Sequence, residues 1–260
     1  MSLLIITSTY NRPLGVVETV RSVIDAMGDA HYLHVVVNDG GADVSECLAK
    51  FESKNLIIEN NQKNLGKNRT VNNTVKLYGS AHLYFLSLDD DDILLPNIRH
   101  INFSVADIST IVTPKQLINV EQHFDIESGD SYVYFENALA MVSAINHREL
   151  AFAVNIQMYE DQQDTLRFHM TKSGPELCIY DIISRCGVAK NIYLDVPVMK
   201  CAYQADGMTA GFNRRLKNTP HDFEKYYRYL VENSPSLRIK FTSLLRLLQL
   251  SIYARMRAFF

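Results

Sequence analysis

Four consecutive carboxylates, Asp89 to Asp92, stand directly after the mostly apolar run at residues 85–88. Adjacent carboxylates repel one another, and removing them from water without nearby positive charge costs free energy. Carboxylate oxygens suit Mg²⁺ or Mn²⁺, which keep water ligands and complete their shell with substrate phosphates. The run by itself is also compatible with a solvated acidic turn. Its place after a buried strand favours a cation site, because ligands of open α/β sheets bind at the carboxyl ends of the strands.

The four aspartates divide into two pairs if the chain is extended across the run. Alternation then places Asp89 and Asp91 on one side and Asp90 and Asp92 on the other. One pair is predicted to approach a cation, and the other to face a ribose or water. A diphosphate is the natural partner of a cation held in this way.

Continuous apolar runs alternate with helical patterns over the first hundred residues. The apolar runs predict strands at 3–7, 33–37, 55–59 and 82–88. The segments between them predict helices that begin at Pro13, at about 43 and near Gly66. Strands that are apolar throughout and alternate with helices are typical of a parallel sheet covered on both faces. We therefore predict a doubly wound α/β arrangement, followed after Pro96 by mixed short strands and helices.

Composition excludes several classes of protein. A chain of 260 residues with 47% hydrophobic residues can fill one large domain with a short appended segment. The net charge of −3 lacks the positive excess typical of nucleic-acid binding. Four cysteines without a Cys-x-x-Cys pair indicate neither a zinc site nor a disulfide framework. The N-terminus lacks the pattern of a signal peptide, and no apolar stretch reaches 18 residues, so we expect a cytoplasmic protein that does not cross a membrane.

Three further polar stretches fall where strands end, at residues 7–13, 37–43 and 64–69. Together with the aspartate run, their order and spacing resemble the pattern of glycosyltransferase family 2. The resemblance covers residues 1–100, with a weaker echo to about 215. It implies the GT-A fold, a Rossmann-like, mostly parallel sheet flanked by helices. It also implies a nucleotide-sugar-binding half at 1–100, an acceptor-binding half of the same domain at 101–215, and a C-terminal helical segment at 216–260.

The resemblance assigns roles to residues in the first two stretches. Ser8, Thr9 and Tyr10 would line the nucleotide pocket. Asp39 would accept a hydrogen bond from the base, and a carboxylate can take the imide N–H of uracil, which favours a UDP-sugar. One position departs from the family pattern, since Asn38 stands where the family usually has a first aspartate.

The family resemblance also covers the aspartate run, which contains the Asp-x-Asp (DxD) motif, and the third polar stretch. Asp89 or Asp90 would meet the ribose, and Asp91 is the favoured ligand of Mn²⁺ or Mg²⁺. Lys67 or Arg69 would offset phosphate charge or orient the base. The arginine that the family usually carries just before Asn72 is replaced by Val71, and Arg69 is the candidate to take its place.

A second acidic motif occurs at residues 159–167, where Glu160 and Asp161 resemble the Glu-Asp motif of the family. Asp161 would then be the catalytic base, with Asp164 as the alternative. Transfer with inversion needs a carboxylate to take the proton of the acceptor hydroxyl as its oxygen attacks the anomeric carbon. Acidic residues are also common in the first turn of a helix because of its dipole, so a capping role is the alternative interpretation of the motif.

Apolar residues recur at three- and four-residue intervals from Ser236 onward and predict one helical stripe. They are Leu237, Phe241, Leu244, Leu245, Leu248, Ile252, Met256 and Phe259. Five basic residues accompany them, and no acidic residue follows Glu232. This composition suits a helix lying on an anionic membrane surface, where lipid-linked acceptors occur. The alternative is a helix that packs on the catalytic domain or on a partner subunit.

These observations predict a metal-dependent, inverting glycosyltransferase that moves a sugar from a nucleoside-diphosphate sugar to a saccharide or lipid-linked saccharide. The resemblance places it in surface-polysaccharide assembly. A nucleotide-sugar-binding protein without turnover is the first alternative. A nucleotidyltransferase is the second, although the chain lacks a glycine-rich, basic phosphate loop near the first strand.

Overall fold

The chain divides into two compact units, Met1–Tyr203 and Gln204–Phe260. In the first unit the computed structural model describes residues 3–51, 53–104, 108–118, 150–157, 190–193 and 197–202. In the second it describes residues 224, 227–228, 231–232 and 237–257.

Nine strands are described in the first unit. In chain order they are β1 Leu3–Thr9, β2 Tyr32–Asn38, β3 Leu56–Asn60, β4 Tyr84–Ser87, β5 Asp92–Leu94, β6 Ile108–Ile118, β7 Leu150–Asn155, β8 Lys190–Tyr193 and β9 Met199–Ala202. Its described helices are α1 Pro13–Met27, α2 Ser45–Leu48, α3 Lys67–Tyr78 and the 3₁₀ helices Gly79–Ala81 and Pro96–His100.

The strands form one sheet in the order β3-β2-β1-β4-β7-β6-β9-β5, and β8 pairs with β6. The four strands β3, β2, β1 and β4 are parallel to their neighbours. Strand β7 then runs antiparallel to both β4 and β6. The predicted parallel α/β half and the mixed part that follows it are therefore confirmed.

Burial of β1 shows why its sequence is apolar throughout. Leu3, Leu4, Ile5 and Ile6 are all buried. Consecutive residues of a strand point to opposite faces, so both faces of the sheet are covered at this position. Residues of α1 such as Val20 pack in the core beside the strands. The carboxyl end of β1 is thereby fixed, and with it the loop that leads into α1.

Two predicted elements are shorter than expected. The fourth strand begins at Tyr84 because a 3₁₀ helix, Gly79–Ala81, occupies the preceding residues and the His82 amide donates to the Gly79 carbonyl. Helix α2 is a single turn, Ser45–Leu48, whereas the sequence pattern predicts a helix from about Asp43 to Phe51. Neither change moves the polar residues away from the ends of the strands.

The second unit contains a long helix, α4 Leu237–Arg257. Its predicted apolar stripe is exposed over the part whose side chains are described, at Leu237, Phe241, Leu244, Leu245 and Leu248. Among the described helices, none has both the length and the apolar character needed to span a membrane.

Candidate functional site

The aspartate run forms a tight turn at the carboxyl end of β4. The Asp92 amide donates to the Asp89 carbonyl over 3.0 Å, and Asp92 then begins β5, which pairs with β9. The expectation of side-to-side alternation along an extended chain is therefore wrong. Because the backbone reverses, the neighbours Asp90 and Asp91 reach the same cation, the guanidinium of Arg12.

Asp90 is the most strongly held carboxylate of this turn. It is only 7% exposed, accepts a hydrogen bond from Thr9 Oγ1 at 2.7 Å and pairs with Arg12 Nη1 at 3.1 Å. Burial raises the pKa of Asp90, while the hydrogen bond from Thr9 and the charge of Arg12 oppose the rise. Asp91 Oδ2 accepts from the same Arg12 nitrogen at 2.7 Å. The two carboxylates thus accept hydrogen bonds from the same guanidinium nitrogen, Arg12 Nη1.

Arg12 is placed by a strained loop between β1 and α1. Asn11 has φ of 58°, in the left-handed region, and its Oδ1 accepts from the Ala42 amide at 2.9 Å. Burial acts to lower the pKa of Arg12, but its hydrogen bond to Asp91 and the charges of both aspartates outweigh this effect and raise the pKa. The guanidinium is therefore charged at any pH at which the protein is folded.

One face of α1 packs against the aspartate turn, which sequence reasoning missed. A Cβ on Gly15 would lie 2.6 Å from the Asp90 carbonyl oxygen, so only glycine permits this approach. Thr19 Oγ1 donates to the Asp92 carbonyl at 2.9 Å, and Ser22 Oγ accepts from the Leu94 amide at 3.0 Å. The available signal was the spacing of three small residues, Gly15, Thr19 and Ser22, along one face of a helix.

Asp39 organises the loop that leads into α3. Its carboxylate accepts three hydrogen bonds, from Asn61 Nδ2 at 2.8 Å, the Leu65 amide at 2.9 Å and the Gly66 amide at 2.8 Å. It is 3% exposed. A carboxylate offers about four lone-pair sites, so roughly one remains for a ligand. The contact with a base stays a prediction, and the observed contacts give Asp39 a structural role as well.

Asn38 explains one departure from the family pattern. Its Nδ2 donates to the carbonyls of Gly41 and Ala42 at 3.2 and 3.1 Å and to Asn60 Oδ1 at 3.1 Å. The Gly41 amide donates back to Asn38 Oδ1 at 3.0 Å. An aspartate has no proton to donate when ionised, so it could not satisfy the two carbonyls. The amide therefore suits this loop better than a carboxylate would.

The basic residues of the third motif differ in environment. Lys67 Nζ forms an ion pair with Asp89 Oδ1, whereas Arg69 is exposed on α3. At the first motif Ser8 is partly buried and Tyr10 is 49% exposed. The structure thus joins Thr9, Arg12 and Lys67 to the aspartate turn by direct contacts. The roles of all these residues toward a nucleotide stay predictions.

The predicted catalytic motif lies outside the described residues. This applies to Glu160, Asp161 and the alternative base Asp164.

The pair Asp90 and Asp91 fits a divalent metal that is completed by a substrate. One oxygen of each aspartate already lies close to Arg12 Nη1, and carboxylate oxygen is the ligand type that Mg²⁺ and Mn²⁺ prefer. In the part of the chain that the structure describes, no group of three or more His, Cys, Asp or Glu residues could hold a metal. A cation here would consequently take its remaining ligands from water and phosphate oxygens.

Solved structures with the same architecture include S. aureus TarS. A TarS 1–349 structure in complex with UDP-GlcNAc matches with a TM-score of 0.70 and 15% identity, over 96% of this chain and 72% of that one. A second structure of TarS 1–349 matches with a TM-score of 0.67 and 16% identity, over 96% of this chain and 71% of that one. The mannosyltransferase PcManGT from Pyrobaculum calidifontis, in complex with GDP-Man and Mn²⁺, matches with a TM-score of 0.59 and 12% identity. The match covers 96% of this chain and 69% of that one. At these identities the likeness establishes the fold, which is GT-A.

The sequence itself matches the family model "Glycosyl transferase family 2" over residues 4–101. A search of curated proteins finds no match. The family match spans all four motifs at the carboxyl edge, and the fold agrees with it. Residues 4–101 therefore resemble glycosyltransferase family 2, and the chain has the GT-A fold, as the motifs predicted.

Proposed function

We propose that the protein is a metal-dependent, inverting glycosyltransferase that uses a nucleoside-diphosphate sugar, with UDP-sugars favoured. The observation that carries the proposal is the pairing of three aspartates of one turn with Arg12 and Lys67 at the carboxyl edge of a parallel sheet. This edge is where open α/β sheets bind ligands. Further support comes from similar structures described with UDP-GlcNAc and with GDP-Man and Mn²⁺.

The donor would bind between the first and third motifs. Ser8, Thr9 and Tyr10 would line the pocket for the nucleoside, and the exposed ring of Tyr10 offers a flat apolar surface to a base. Asp39 would use its remaining acceptor site for the base. Asp89 or Asp90 would meet the ribose.

The same edge offers ligands for a cation and positive charge for phosphates. Asp91 would hold Mn²⁺ or Mg²⁺, and Lys67 or Arg69 would offset phosphate charge. When bound, the metal supplies charge neutralisation for the departing diphosphate. Asp91 is supported as the ligand because it is more accessible than Asp90, with its side chain 20% exposed against 10%.

Asp161 is proposed as the base that removes the proton from the acceptor hydroxyl. Because this step needs a carboxylate, Asp161→Asn should abolish transfer while donor binding, measured by calorimetry, stays at the wild-type level. Asp164→Asn is the matched variant and should retain activity. If Asp161→Asn keeps its turnover and Asp164→Asn loses it, the alternative base is the correct one.

The acceptor is proposed to be a saccharide or lipid-linked saccharide in surface-polysaccharide assembly, reached from the cytoplasmic side. The exposed apolar stripe of α4, with exposed Arg246 close to it, supports peripheral contact with an anionic membrane through residues 236–260. Full-length Phe241→Glu should float less with anionic liposomes than wild type. Gln249→Glu adds the same charge at an exposed polar position and should float like wild type. Equal flotation of all three proteins would contradict a role for the stripe.

A thermal-shift panel of UDP-, GDP- and dTDP-sugars, with and without Mn²⁺, tests the class of activity. We expect one nucleotide sugar to raise Tm only when the metal is present, because binding to the native state stabilises it. Asp91→Asn should lose the metal-dependent part, and Asp43→Asn, at an exposed loop position, should keep it. No shift with any donor would contradict the proposal.

A product assay distinguishes the two alternative functions. Metal-dependent binding with no sugar transfer to any acceptor would favour a binding protein without turnover. Release of pyrophosphate from a nucleoside triphosphate and a sugar phosphate would favour a nucleotidyltransferase.

A further inference from the structure

The guanidinium of Arg12 occupies the two carboxylates that best suit a metal. Its Nη1 lies 2.7 Å from Asp91 Oδ2 and 3.1 Å from Asp90 Oδ1. The side chain is about one third exposed, so it lies between the buried turn and solvent. The loop that carries it is held by the contact of Asn11 with the Ala42 amide.

A divalent metal and this guanidinium compete for the same oxygens. A metal bound to Asp91 Oδ2 would lie no farther than about 5 Å from Arg12 Nη1, the sum of the 2.7 Å hydrogen bond and a metal–oxygen distance of about 2.1 Å. Two cations at that separation in a partly buried site repel each other strongly. A guanidinium has no lone pair to offer, so it cannot join the shell of the metal. One of the two must give way.

We propose that Arg12 is a positioning residue that competes with the divalent metal for Asp90 and Asp91 and releases these carboxylates when a diphosphate is present. The inference rests on the proposed function, since it takes a metal and a nucleoside diphosphate as the ligands. A diphosphate offers the guanidinium planar, two-point hydrogen bonding from anionic oxygens, which an arginine prefers. The exposed part of the side chain can make this exchange without opening the core. Metal and donor therefore bind together, and the metal alone binds weakly.

Binding of Mn²⁺ to the full-length protein, followed by the EPR signal of the free ion, tests the competition. Arg12→Gln removes the charge and should bind Mn²⁺ without nucleotide at least about tenfold more tightly than wild type. Arg12→Lys keeps a cation in reach of the carboxylates and should bind as weakly as wild type. Arg21→Gln removes a charge from the exposed side of α1, where Arg21 pairs with Glu18, and should change nothing. With UDP added, Arg12→Gln should lose affinity for the Mn²⁺–UDP complex relative to wild type.

An Arg12→Gln variant that binds Mn²⁺ no more tightly than wild type would overturn the inference. A second measurement needs no variant: wild type that binds Mn²⁺ equally well with and without saturating UDP, after correction for chelation by free UDP, would overturn it too. The proposed function fails separately, if wild type shows no metal-dependent stabilisation by any nucleotide sugar. Stabilisation of wild type combined with unchanged Mn²⁺ affinity in Arg12→Gln would reject only the competition.

Discussion

Replacing Asp39 by asparagine changes a single side-chain atom at the point where three hydrogen bonds hold the loop before α3. The amide oxygen of asparagine can still accept from Asn61 Nδ2 and the Leu65 amide, both within 2.9 Å of Asp39 Oδ1. Its NH₂ group must then face the Gly66 amide, which donates to Asp39 Oδ2 at 2.8 Å in the native protein. One charge-assisted hydrogen bond is lost, two donors oppose each other, and the other two bonds lose their charged acceptor.

The expected loss of stability follows from these contacts. A hydrogen bond to a charged group contributes about 1.5–3 kcal/mol, and a buried donor left without an acceptor costs a similar amount. We therefore expect Asp39→Asn to lower the free energy of unfolding by about 3–5 kcal/mol. At about 2–4 °C per kcal/mol for a domain of this size, Tm should fall by roughly 10 °C.

Calorimetry and amide hydrogen exchange measure the two consequences of Asp39→Asn. Exchange should quicken at Leu65 and Gly66, while the amide of Val35 in β2 keeps its protection. Asp43→Asn is the control, since Asp43 is exposed and its hydrogen bonds are local, to Ser45 and the Val44 amide. A Tm of Asp39→Asn within about 2 °C of wild type, with unchanged exchange at the loop, would refute the arrangement.

Two further substitutions test a buried histidine of β2 and the contact of α1 with the aspartate turn. Burial lowers the pKa of His34 from 6.5 to about 3. The buried neutral imidazole therefore stabilises the fold fully above pH 6.5. As the pH falls from 6.5 toward 3, the free energy of unfolding decreases by up to about 1.4 kcal/mol per pH unit. In urea unfolding between pH 6.5 and 4, His34→Gln should therefore lose less stability than wild type. His31→Gln, at an exposed position, should match wild type. An equal change in the free energy of unfolding with pH in all three proteins would contradict this prediction. Gly15→Ala places a Cβ 2.6 Å from the Asp90 carbonyl oxygen. It should therefore lower the free energy of unfolding in urea by about 1–3 kcal/mol and weaken Mn²⁺–UDP binding. Leu14→Ala, at an exposed position, should have neither effect. Full Mn²⁺–UDP affinity in Gly15→Ala would show that the helix can move away freely.

The parallel half of the sheet was predictable because its signals are local. A run such as Leu3 to Ile6 is apolar at every position, which is the pattern of a strand buried on both faces, and its alternation with helical segments favours a parallel sheet. The polar residues that follow each run were therefore expected at one edge. The family pattern added the order of the motifs, and the match over residues 4–101 confirms it.

The boundaries of short elements were less predictable than their existence. The residues before Tyr84 are compatible with a strand, but the hydrogen bond from His82 to Gly79 closes a 3₁₀ turn there. The ends of an element depend on its last few hydrogen bonds, so a local pattern predicts them less well than it predicts the element itself.

The sequence by itself determined the class of fold and the four motifs that gather at the carboxyl edge of the sheet, where we propose that the chemistry takes place. Only the tertiary structure decided which charges pair: Arg12 contacts Asp90 and Asp91, which lie 78 and 79 positions away, and Gly15 gives the aspartate turn room to approach α1. Burial patterns repeat with the period of a helix or strand and can be read from neighbouring residues. Ion pairs between loops follow no repeating sequence pattern, because they depend on how the backbone turns in each of the two loops. The reversal of the backbone from Asp89 to Asp92 is such a turn.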